Sequence, residues 1–333
     1  MRTLLSRRAL LAAGAGALPL AGLAAFWLSS RPRSVTKLVV AESAAVASAL
    51  FYVARHQGYF AEQGLEIETV PASSGKEALA IVTEGRADLC MVAEAPFVKA
   101  VMSGRPVRIV ATIESSERNT GIIVPAEGAI RGAADLRGRR IGYIPGTASE
   151  YFLAVYLEAN SVARAGITAV ELAAGSAHEA LARGEVDGIS GWQEIRARAD
   201  RALGRRTAAL YADGVYLETW NVAGLAPRLD ALKAPVQGFV RALIKAQSFA
   251  ASKPEAAIGI TADSIDVDRA TIAVMWHDYA FDVGLDQALI SNLEGHWRMA
   301  NGGQAGAVMP NLVANLDPVA LEAADPGRIT YFR

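Results

Sequence analysis

Cysteine is almost absent from this chain, since Cys90 is the only one in 333 residues. A single cysteine excludes an internal disulfide, and it excludes zinc or iron–sulfur sites built from cysteines. Cys90 lies in the apolar run Leu89–Val92, which predicts a buried strand thiol rather than a nucleophile.

An excess of positive charge is also absent. The chain has 33 Lys and Arg against 34 Asp and Glu, so no basic face for nucleic acid is predicted. The histidines, His56, His178, His277 and His296, have no metal-ligand spacing. The sequence also has no glycine-rich phosphate loop and no nucleophile elbow. We therefore expect no metal, no cofactor and no catalytic residue.

Acidic residues are missing before Glu42, and residues 1–30 have the pattern of an export signal. Ser6-Arg7-Arg8 is a twin-arginine type start, and a mostly apolar run follows it. We predict that this segment directs export of the chain. The run is also long enough to span a bilayer, so an uncleaved membrane anchor stays open.

Two similar segments occur in the chain. Each has the sequence Glu-Ala-Leu, then a glycine, then an aspartate before an apolar strand: Glu77 to Asp88 in the first, and Glu179 to Asp187 in the second. Two similar α/β units predict two similar lobes. A crevice between lobes is a common place for a small ligand to bind.

Alternation of apolar runs with helical patterns predicts mainly parallel sheets covered by helices. Strands of a first sheet are expected at residues 37–41, 65–70, 89–92 and 107–113, and strands of a second at 139–144, 170–172 and 188–190. Crossings between the two units are expected at 121–125 and 221–225. From residue 228 onward the pattern is helical.

Candidate ligand-binding residues follow from the rule that open α/β sheets bind ligands beyond the carboxyl ends of their strands. In the first unit these are Glu42, Ser43, Ser73, Ser74, Gly75, Glu94, Ala95, Pro96 and Ser115. In the second unit they are Gly146, Thr147, Ser149, Glu150, Trp192, Gln193 and Glu194, and Trp220 lies beside the second crossing.

Two of these loops, 73–75 and 146–149, are predicted helix starts whose backbone N–H groups suit an anion or a polar oxygen. The same hydroxyls also serve as ordinary helix N-caps. Trp192 follows a strand end, where it suits either a flat wall for a ring or core packing. Trp220 is expected to line either the cleft or the hinge.

Carboxylates are unusually frequent in these loops, which contain Glu42, Glu94, Glu114, Glu150 and Glu194. Buried carboxylates would weaken a site for an anion, because like charges repel strongly at low dielectric. We therefore expect a ligand with N–H donors or positive charge, such as an aminopyrimidine or another nitrogen heterocycle. A zwitterion is also compatible, and some of these glutamates are expected to face solvent or cap helices.

The order of motifs resembles the periplasmic substrate-binding proteins of ABC importers for nitrate, sulfonate, taurine and thiamine-pyrimidine precursors. The matching motifs lie at residues 58–65, 74–79, 85–88, 104–107, 135–142 and 184–187. The resemblance as a whole covers roughly residues 36–330, nearly all of the chain after the predicted signal. The motifs are specific for the family and not for the ligand.

This resemblance implies an α/β fold of the type II periplasmic-binding-protein kind, with two lobes and two crossover strands as a hinge. Lobe one would comprise residues 36–123 plus 225–333, and lobe two residues 126–221. It further implies a monomer in the periplasm that closes on a small-molecule ligand and delivers it to a membrane permease.

Alternatives stay open. The ligand is a thiamine pyrimidine precursor or related nitrogen compound, or else an alkanesulfonate, taurine or nitrate. Two other classes share the fold: a pyrimidine-synthesising enzyme and a sensor ectodomain. Enzymes of that kind depend on a cysteine-rich segment, which the single Cys90 argues against.

Overall fold

Strands and helices alternate along most of the computed structural model, which describes residues 35–302 and 307–332. The strands are β1 (Thr36–Ser43), β2 (Leu65–Ala72), β3 (Leu89–Val92), β4 (Val107–Ser116), β5 (Thr120–Pro125), β6 (Arg140–Tyr143), β7 (Thr168–Glu171), β8 (Gly188–Trp192), β9 (Thr207–Leu210) and β10 (Glu218–Leu225). The export signal or anchor predicted at residues 1–30 lies outside the described residues.

The helices cover the sheets and fill the carboxyl-terminal third of the chain. They are α1 (Ala49–His56), α2 (Tyr59–Glu62), α3 (Gly75–Thr83), α4 (Glu94–Met102), α5 (Ala148–Ala159), α6 (Ala177–Ala182), α7 (Gln193–Leu203), α8 (Ala226–Ala231), α9 (Lys233–Ser252), α10 (Pro254–Ile265), α11 (Arg269–Trp276), α12 (Gln287–Ala300) and α13 (Val319–Ala324). None of the helices in the described ranges is long and apolar enough to cross a membrane.

Two five-stranded sheets have the same topology. The first has the order β2-β1-β3-β10-β4 and the second the order β7-β6-β8-β5-β9. In each sheet the first three strands are parallel, and the fourth strand in the order is antiparallel to both of its neighbours. Each sheet therefore receives one strand that enters directly after the chain has crossed from the other sheet.

The two similar sequence segments have the same structural role. The Oδ2 of Asp88 accepts a hydrogen bond of 2.8 Å from the backbone N–H of Val39 on β1. The Oδ2 of Asp187 accepts one of the same length from the N–H of Arg140, the first residue of β6. Each aspartate thus anchors the loop before its own strand to the strand next to it, so the two units were correctly predicted as similar.

The crossings lie a few residues from their predicted positions. Residues 120–125 pair entirely with β8 and β9, and residues 218–225 pair entirely with β3 and β4. The chain therefore passes between the sheets at residues 117–119 and 211–217, which we call the first and second connections. We refer to the first sheet with its helices as lobe one, and to the second as lobe two.

Lobe one has the larger core. The ring of Phe60 on α2 stacks on Phe239 of α9 with 4.8 Å between centroids, and Phe51 of α1 packs on both. Cys90 on β3 is fully buried in this core, and burial raises the pKa of its thiol. The cysteine is therefore a core residue, as its apolar surroundings in the sequence predict.

We expect Asp88→Ala to lower the free energy of unfolding by about 1–3 kcal/mol, because it leaves the Val39 N–H buried without a partner. Asp187→Ala should cost less, since the Asp187 side chain is 29% exposed whereas that of Asp88 is 9% exposed. Urea unfolding followed by circular dichroism measures both. The control is Asp213→Ala, which breaks an exposed ion pair with Arg118; equal losses for Asp88→Ala and the control would contradict this role.

Candidate functional site

A cavity of about 90 Å³ lies between the two lobes at the carboxyl ends of their strands. Of the residues singled out in the sequence, those that line it are Ser43, Ser73, Ser74, Gly75, Pro96, Thr147, Trp192, Glu194 and Trp220. The loops of both lobes therefore meet at one site, which we call the front cavity. Those that do not line it are Glu42, Glu94, Ala95, Ser115, Gly146, Ser149, Glu150 and Gln193.

Two tryptophans supply flat apolar surface to the front cavity. Trp192, the last residue of β8, is half-buried, and Trp220 of β10 is almost fully buried. The indole N–H of Trp220 donates to the hydroxyl of Ser48 at 2.8 Å, which fixes the orientation of the ring. A Cβ on Gly75 would lie 2.8 Å from that ring, so only glycine fits at the start of α3.

Some backbone N–H groups at the loops beside the front cavity already have carboxylate partners within the chain. The N–H of Ser73 donates to Glu77 at 2.8 Å, and that of Gly146 donates to Glu150 at 2.7 Å. The N–H of Val46 in lobe one donates to Glu194 of lobe two at 2.6 Å. Three carboxylates of the chain itself thus each occupy one backbone donor beside the front cavity.

The hydroxyls at the start of α5 are structural. The hydroxyl of Ser149 is buried and donates to the backbone oxygen of Ser190 at 2.7 Å, which ties α5 to β8. Thr147 accepts from the N–H of Ser149 and donates to the backbone oxygen of Ile144. The N-cap interpretation therefore holds for this loop, and of its two hydroxyl residues Thr147 also lines the front cavity.

Glu94 does not line the front cavity, because its side chain is fully buried and accepts several hydrogen bonds within the protein. Its Oε1 accepts hydrogen bonds from the N–H and hydroxyl of Thr219, at 2.6 and 2.7 Å, and its Oε2 accepts one from Tyr216 at 3.0 Å. Burial raises the pKa of Glu94 to about 7. Because Tyr216 lies in the second connection, Glu94 holds that connection against α4.

Gln193, Glu42 and Ser115 also make contacts inside the protein. The side-chain amide of Gln193 donates to the backbone oxygen of Arg118 in the first connection, and also to Asp278 of lobe one. Glu42 accepts from the hydroxyl of Tyr52 at 2.7 Å. Ser115 lies opposite Thr219 in the pairing of β4 with β10. The loop rule identified the neighbourhood of the front cavity, but it did not determine which side chains line it.

Glu218 is a lining residue that sequence reasoning missed. It is the first residue of β10, and it accepts from the side-chain amide of Asn119 at 3.0 Å and from the hydroxyl of Thr120 at 2.6 Å. Burial, together with the charge of Glu94, raises the pKa of Glu218 to about 8. Asn119, which also lines the front cavity, belongs to the first connection.

Glu114 completes a cluster of four buried carboxyls with Glu94, Glu194 and Glu218. It lies opposite Trp220 in the antiparallel pair β4–β10, so both side chains share one face of the sheet. Burial, and then the charges of the other three, raise its pKa well above the usual range. Within the described ranges its Oε1 has no hydrogen-bond partner.

Positive charge enters the front cavity from two exposed side chains that sequence reasoning also missed. Lys76, on the first turn of α3, donates to the backbone oxygen of Pro145 across the cleft at 2.9 Å. Arg198, on the second turn of α7, lines the same cavity. A helical spacing that brings Arg198 back over the end of β8 is the only signal for it in the sequence.

Comparison with protein families gives a match over residues 46–257, well over half of the chain, to a family described as "NMT1/THI5 like". No curated protein sequence matches the chain. Among residues 35–302 and 307–332, no group of three or more His, Cys, Asp and Glu residues could hold a metal ion.

Several solved structures share the fold. The alkanesulfonate-binding protein SsuA from Xanthomonas axonopodis pv. citri, bound to MOPS, is 18% identical with a TM-score of 0.72 over 89% of this chain and 98% of that one. The aliphatic sulphonate binding protein SsuA from Escherichia coli is 17% identical, with a TM-score of 0.68 over 81% and 94%.

The desulfurization enzyme DSZB is also similar, at 16% identity and a TM-score of 0.66 over 86% of this chain and 98% of that one. At these identities the likeness establishes the fold alone. The predicted two-lobe periplasmic-binding-protein fold is thereby confirmed, and the fold is compatible with both binding and catalysis.

We expect the free energy of unfolding to fall by roughly 1 kcal/mol or more between about pH 7 and about pH 9. In the folded chain Glu94 and Glu218 keep their protons up to about pH 7 and about 8, whereas the unfolded chain loses them near 4.5. The folded state then binds more protons, so stability decreases as pH rises. Burial lowers the pKa of His296 from 6.5 to about 3. The titration of His296 therefore changes the stability only below about pH 6.5.

Thermal melts over this pH range measure the effect, and Glu218→Gln should flatten the curve because it removes one ionisable group. Glu127→Gln, at an exposed turn position, is the matched control and should leave the slope unchanged. A flat profile for the unmodified protein would contradict buried, protonated carboxyls.

Proposed function

The chain belongs to the NMT1/THI5-like family, and we propose that it is the extracytoplasmic solute-binding component of an ABC importer. The proposal is supported by the front cavity, which lies where open α/β sheets bind ligands and takes residues from both lobes. The similar SsuA structures are sulfonate-binding proteins. The protein acts as a monomer in the periplasm. Its partners are a small organic solute and a membrane permease.

Hinge closure is the mechanism that fits this architecture. Within the described ranges, residues 117–119 and 211–217 are the two segments that join the sheets, so the lobes can rotate about these connections. A solute that contacts Trp220 and Glu218 from one side and Trp192 and Glu194 from the other stabilises the closed arrangement. The permease then recognises the closed state, whose population the solute raises through its differential affinity.

The nature of the solute follows from which groups the front cavity leaves available. The N–H groups of Ser73, Gly146 and Val46 are taken by carboxylates of the chain itself. The carboxyls of Glu194 and Glu218 and the rings of the tryptophans remain in the lining. We therefore assign a solute with N–H donors or positive charge, such as an aminopyrimidine related to thiamine precursors, because carboxylates accept hydrogen bonds and attract cations.

One observation favours a second candidate, an alkanesulfonate or a related anion. Arg198 is exposed, lines the front cavity and presents a guanidinium to it. Arginine is well suited to anionic oxygens because its planar fork of donors matches them. A zwitterion with an amine towards Glu218 and an acidic group towards Arg198 satisfies both observations.

Catalysis is not part of the proposal. The one cysteine is buried and burial raises the pKa of its thiol, the opposite of what a nucleophilic thiolate needs. The buried carboxyls Glu94 and Glu218 are held by hydrogen bonds from the connections between the sheets. Their raised pKa values have a structural cause in burial.

Thermal-shift measurements with aminopyrimidines, polyamines, taurine, alkanesulfonates and nitrate test the proposal. A solute present at 100 times its dissociation constant should add about 2.7 kcal/mol of stability. For a nitrogen-bearing solute, Glu218→Gln should weaken binding at least tenfold, because a bound cation lowers the pKa of the Glu218 carboxyl and ionises it, whereas an amide stays neutral. Arg198→Ala should leave that affinity nearly unchanged.

The reverse pattern, an anion whose affinity drops with Arg198→Ala and not with Glu218→Gln, would establish the second candidate instead. Arg201→Ala is the matched control for Arg198→Ala, since Arg201 is exposed on α7 and does not line the front cavity. If no compound of any class stabilises the protein or compacts it in small-angle scattering, the binding proposal is wrong.

A further inference from the structure

A second cavity lies behind the front cavity, between the two lobes. It measures about 480 Å³ and is bounded by α4 and α12 of lobe one and by α5 of lobe two. We call it the back chamber. Most of its lining is apolar: Val98, Tyr151, Ala154, Leu157, Val162 and Met299.

The two cavities adjoin each other. Thr147, at the start of α5, lines both of them. On the facing helix α4, Pro96 lines the front cavity and its neighbour Ala95 lines the back chamber. The helix starts of α4 and α5 therefore form a shared partition, and a molecule that passes between them touches both spaces.

The sizes of the two spaces differ greatly. Pockets for organic ligands usually measure about 300–1,000 Å³. The front cavity, at about 90 Å³, is smaller than this range, whereas the back chamber, at about 480 Å³, lies within it. The front cavity can hold a small polar group, and the remainder of a larger solute needs another space.

We propose that the back chamber is a second subsite of the same ligand, which takes the alkyl or aryl part of a solute whose polar group lies in the front cavity. This inference rests on the proposed binding function. It assigns the solute to a chemical class, that of amphiphilic organic molecules with a compact polar head and an apolar substituent.

Contacts between the lobes show how the back chamber is built. The ring of Tyr151 from lobe two lies against His296 of lobe one, with 3.6 Å between centroids, and meets Tyr216 of the second connection edge-on at 5.0 Å. A Cβ on Gly295 would lie 2.9 Å from the Tyr151 hydroxyl, so a glycine makes room for this ring. The Tyr151 ring of lobe two therefore packs against lobe one and forms one wall of the back chamber.

An occupant of the back chamber would contact both lobes. The ion pair between Lys99 of α4 and Glu150 of α5, at 3.0 Å, joins the lobes along its wall, and both residues line it. Burying apolar surface against both α5 and α12 stabilises the closed arrangement over the open one, because the chamber is complete only when the lobes meet. The tail of the solute would thus contribute to closure as well as to affinity.

Calorimetric titration with two pairs of probes tests this subsite: methylamine with hexylamine, and methanesulfonate with hexanesulfonate. Each methylene buried in the chamber should tighten binding by on the order of fourfold. The hexyl probe should therefore bind at least tenfold more tightly than the methyl probe that carries the favoured head group. If the methyl and hexyl probes with the same head group bind with equal affinity, the subsite is overturned and the proposed function is left intact.

Substitutions that fill the back chamber with a larger side chain provide a second test of the subsite. Ala154→Trp, from lobe two, should abolish the advantage of the hexyl chain and leave the affinity for the methyl probe within about twofold. Ala159→Trp, on the same helix at an exposed position outside the chamber, is the matched control. Met299→Trp fills the chamber from lobe one if Ala154→Trp does not fold, as judged by circular dichroism.

Loss of the hexyl advantage in Ala159→Trp as well, or its persistence in both filled variants, would overturn the subsite. So would an absence of binding by all four probes. The proposed binding function fails only if the wider panel of aminopyrimidines, polyamines, taurine and nitrate also gives no stabilisation, so the two failures are distinguishable.

Discussion

Two buried carboxyls hold the connections between the lobes, and the geometry of the cleft depends on them. Glu218 accepts from Asn119 of the first connection and from Thr120 at the start of β5, while Glu94 accepts from Tyr216 of the second connection and from Thr219 of β10. Burial favours the neutral form of both carboxyls, so their hydrogen bonds position the connections without placing two full charges in the core. These hydrogen bonds therefore fix the path of both connections, and with it the geometry of the cleft.

Carboxylates of the chain itself satisfy part of the backbone donors beside the cleft, which affects the character of the site. Glu77, Glu150 and Glu194 occupy backbone donors at three loops that face the cleft. One of these contacts, from the Val46 N–H to Glu194, crosses between the lobes, and so do the contacts of Lys76 and Lys99. Polar contacts between the lobes thus surround the front cavity, whose lining combines carboxyls and tryptophans with the cationic side chains of Lys76 and Arg198.

Sequence patterns predict the repeated units well because each unit depends on local chemistry. Asp88 and Asp187 follow a glycine in the left-handed conformation, at φ 75° and 69° for Gly85 and Gly184, and bond to the neighbouring strand in the same way. The lining residues are harder to predict. The position of Glu218 depends on the register of β10 against β4, which is shifted at two irregularities, and Arg198 reaches the cavity from within α7. Those placements arise from tertiary packing, and the helical spacing of Arg198 alone does not single it out. The strand β9 is also missed, because two of its four residues are alanines, which are depleted in strands.

The solitary thiol of Cys90 has a practical consequence. It is sealed inside the first sheet with no exposed surface, and the chain has no other sulfhydryl. New cysteines placed on opposite lobes would therefore accept fluorescent dyes without background labelling of the native protein. Energy transfer between such a pair of dyes would follow a rotation of the lobes in real time in single molecules. No native cysteine would have to be removed first.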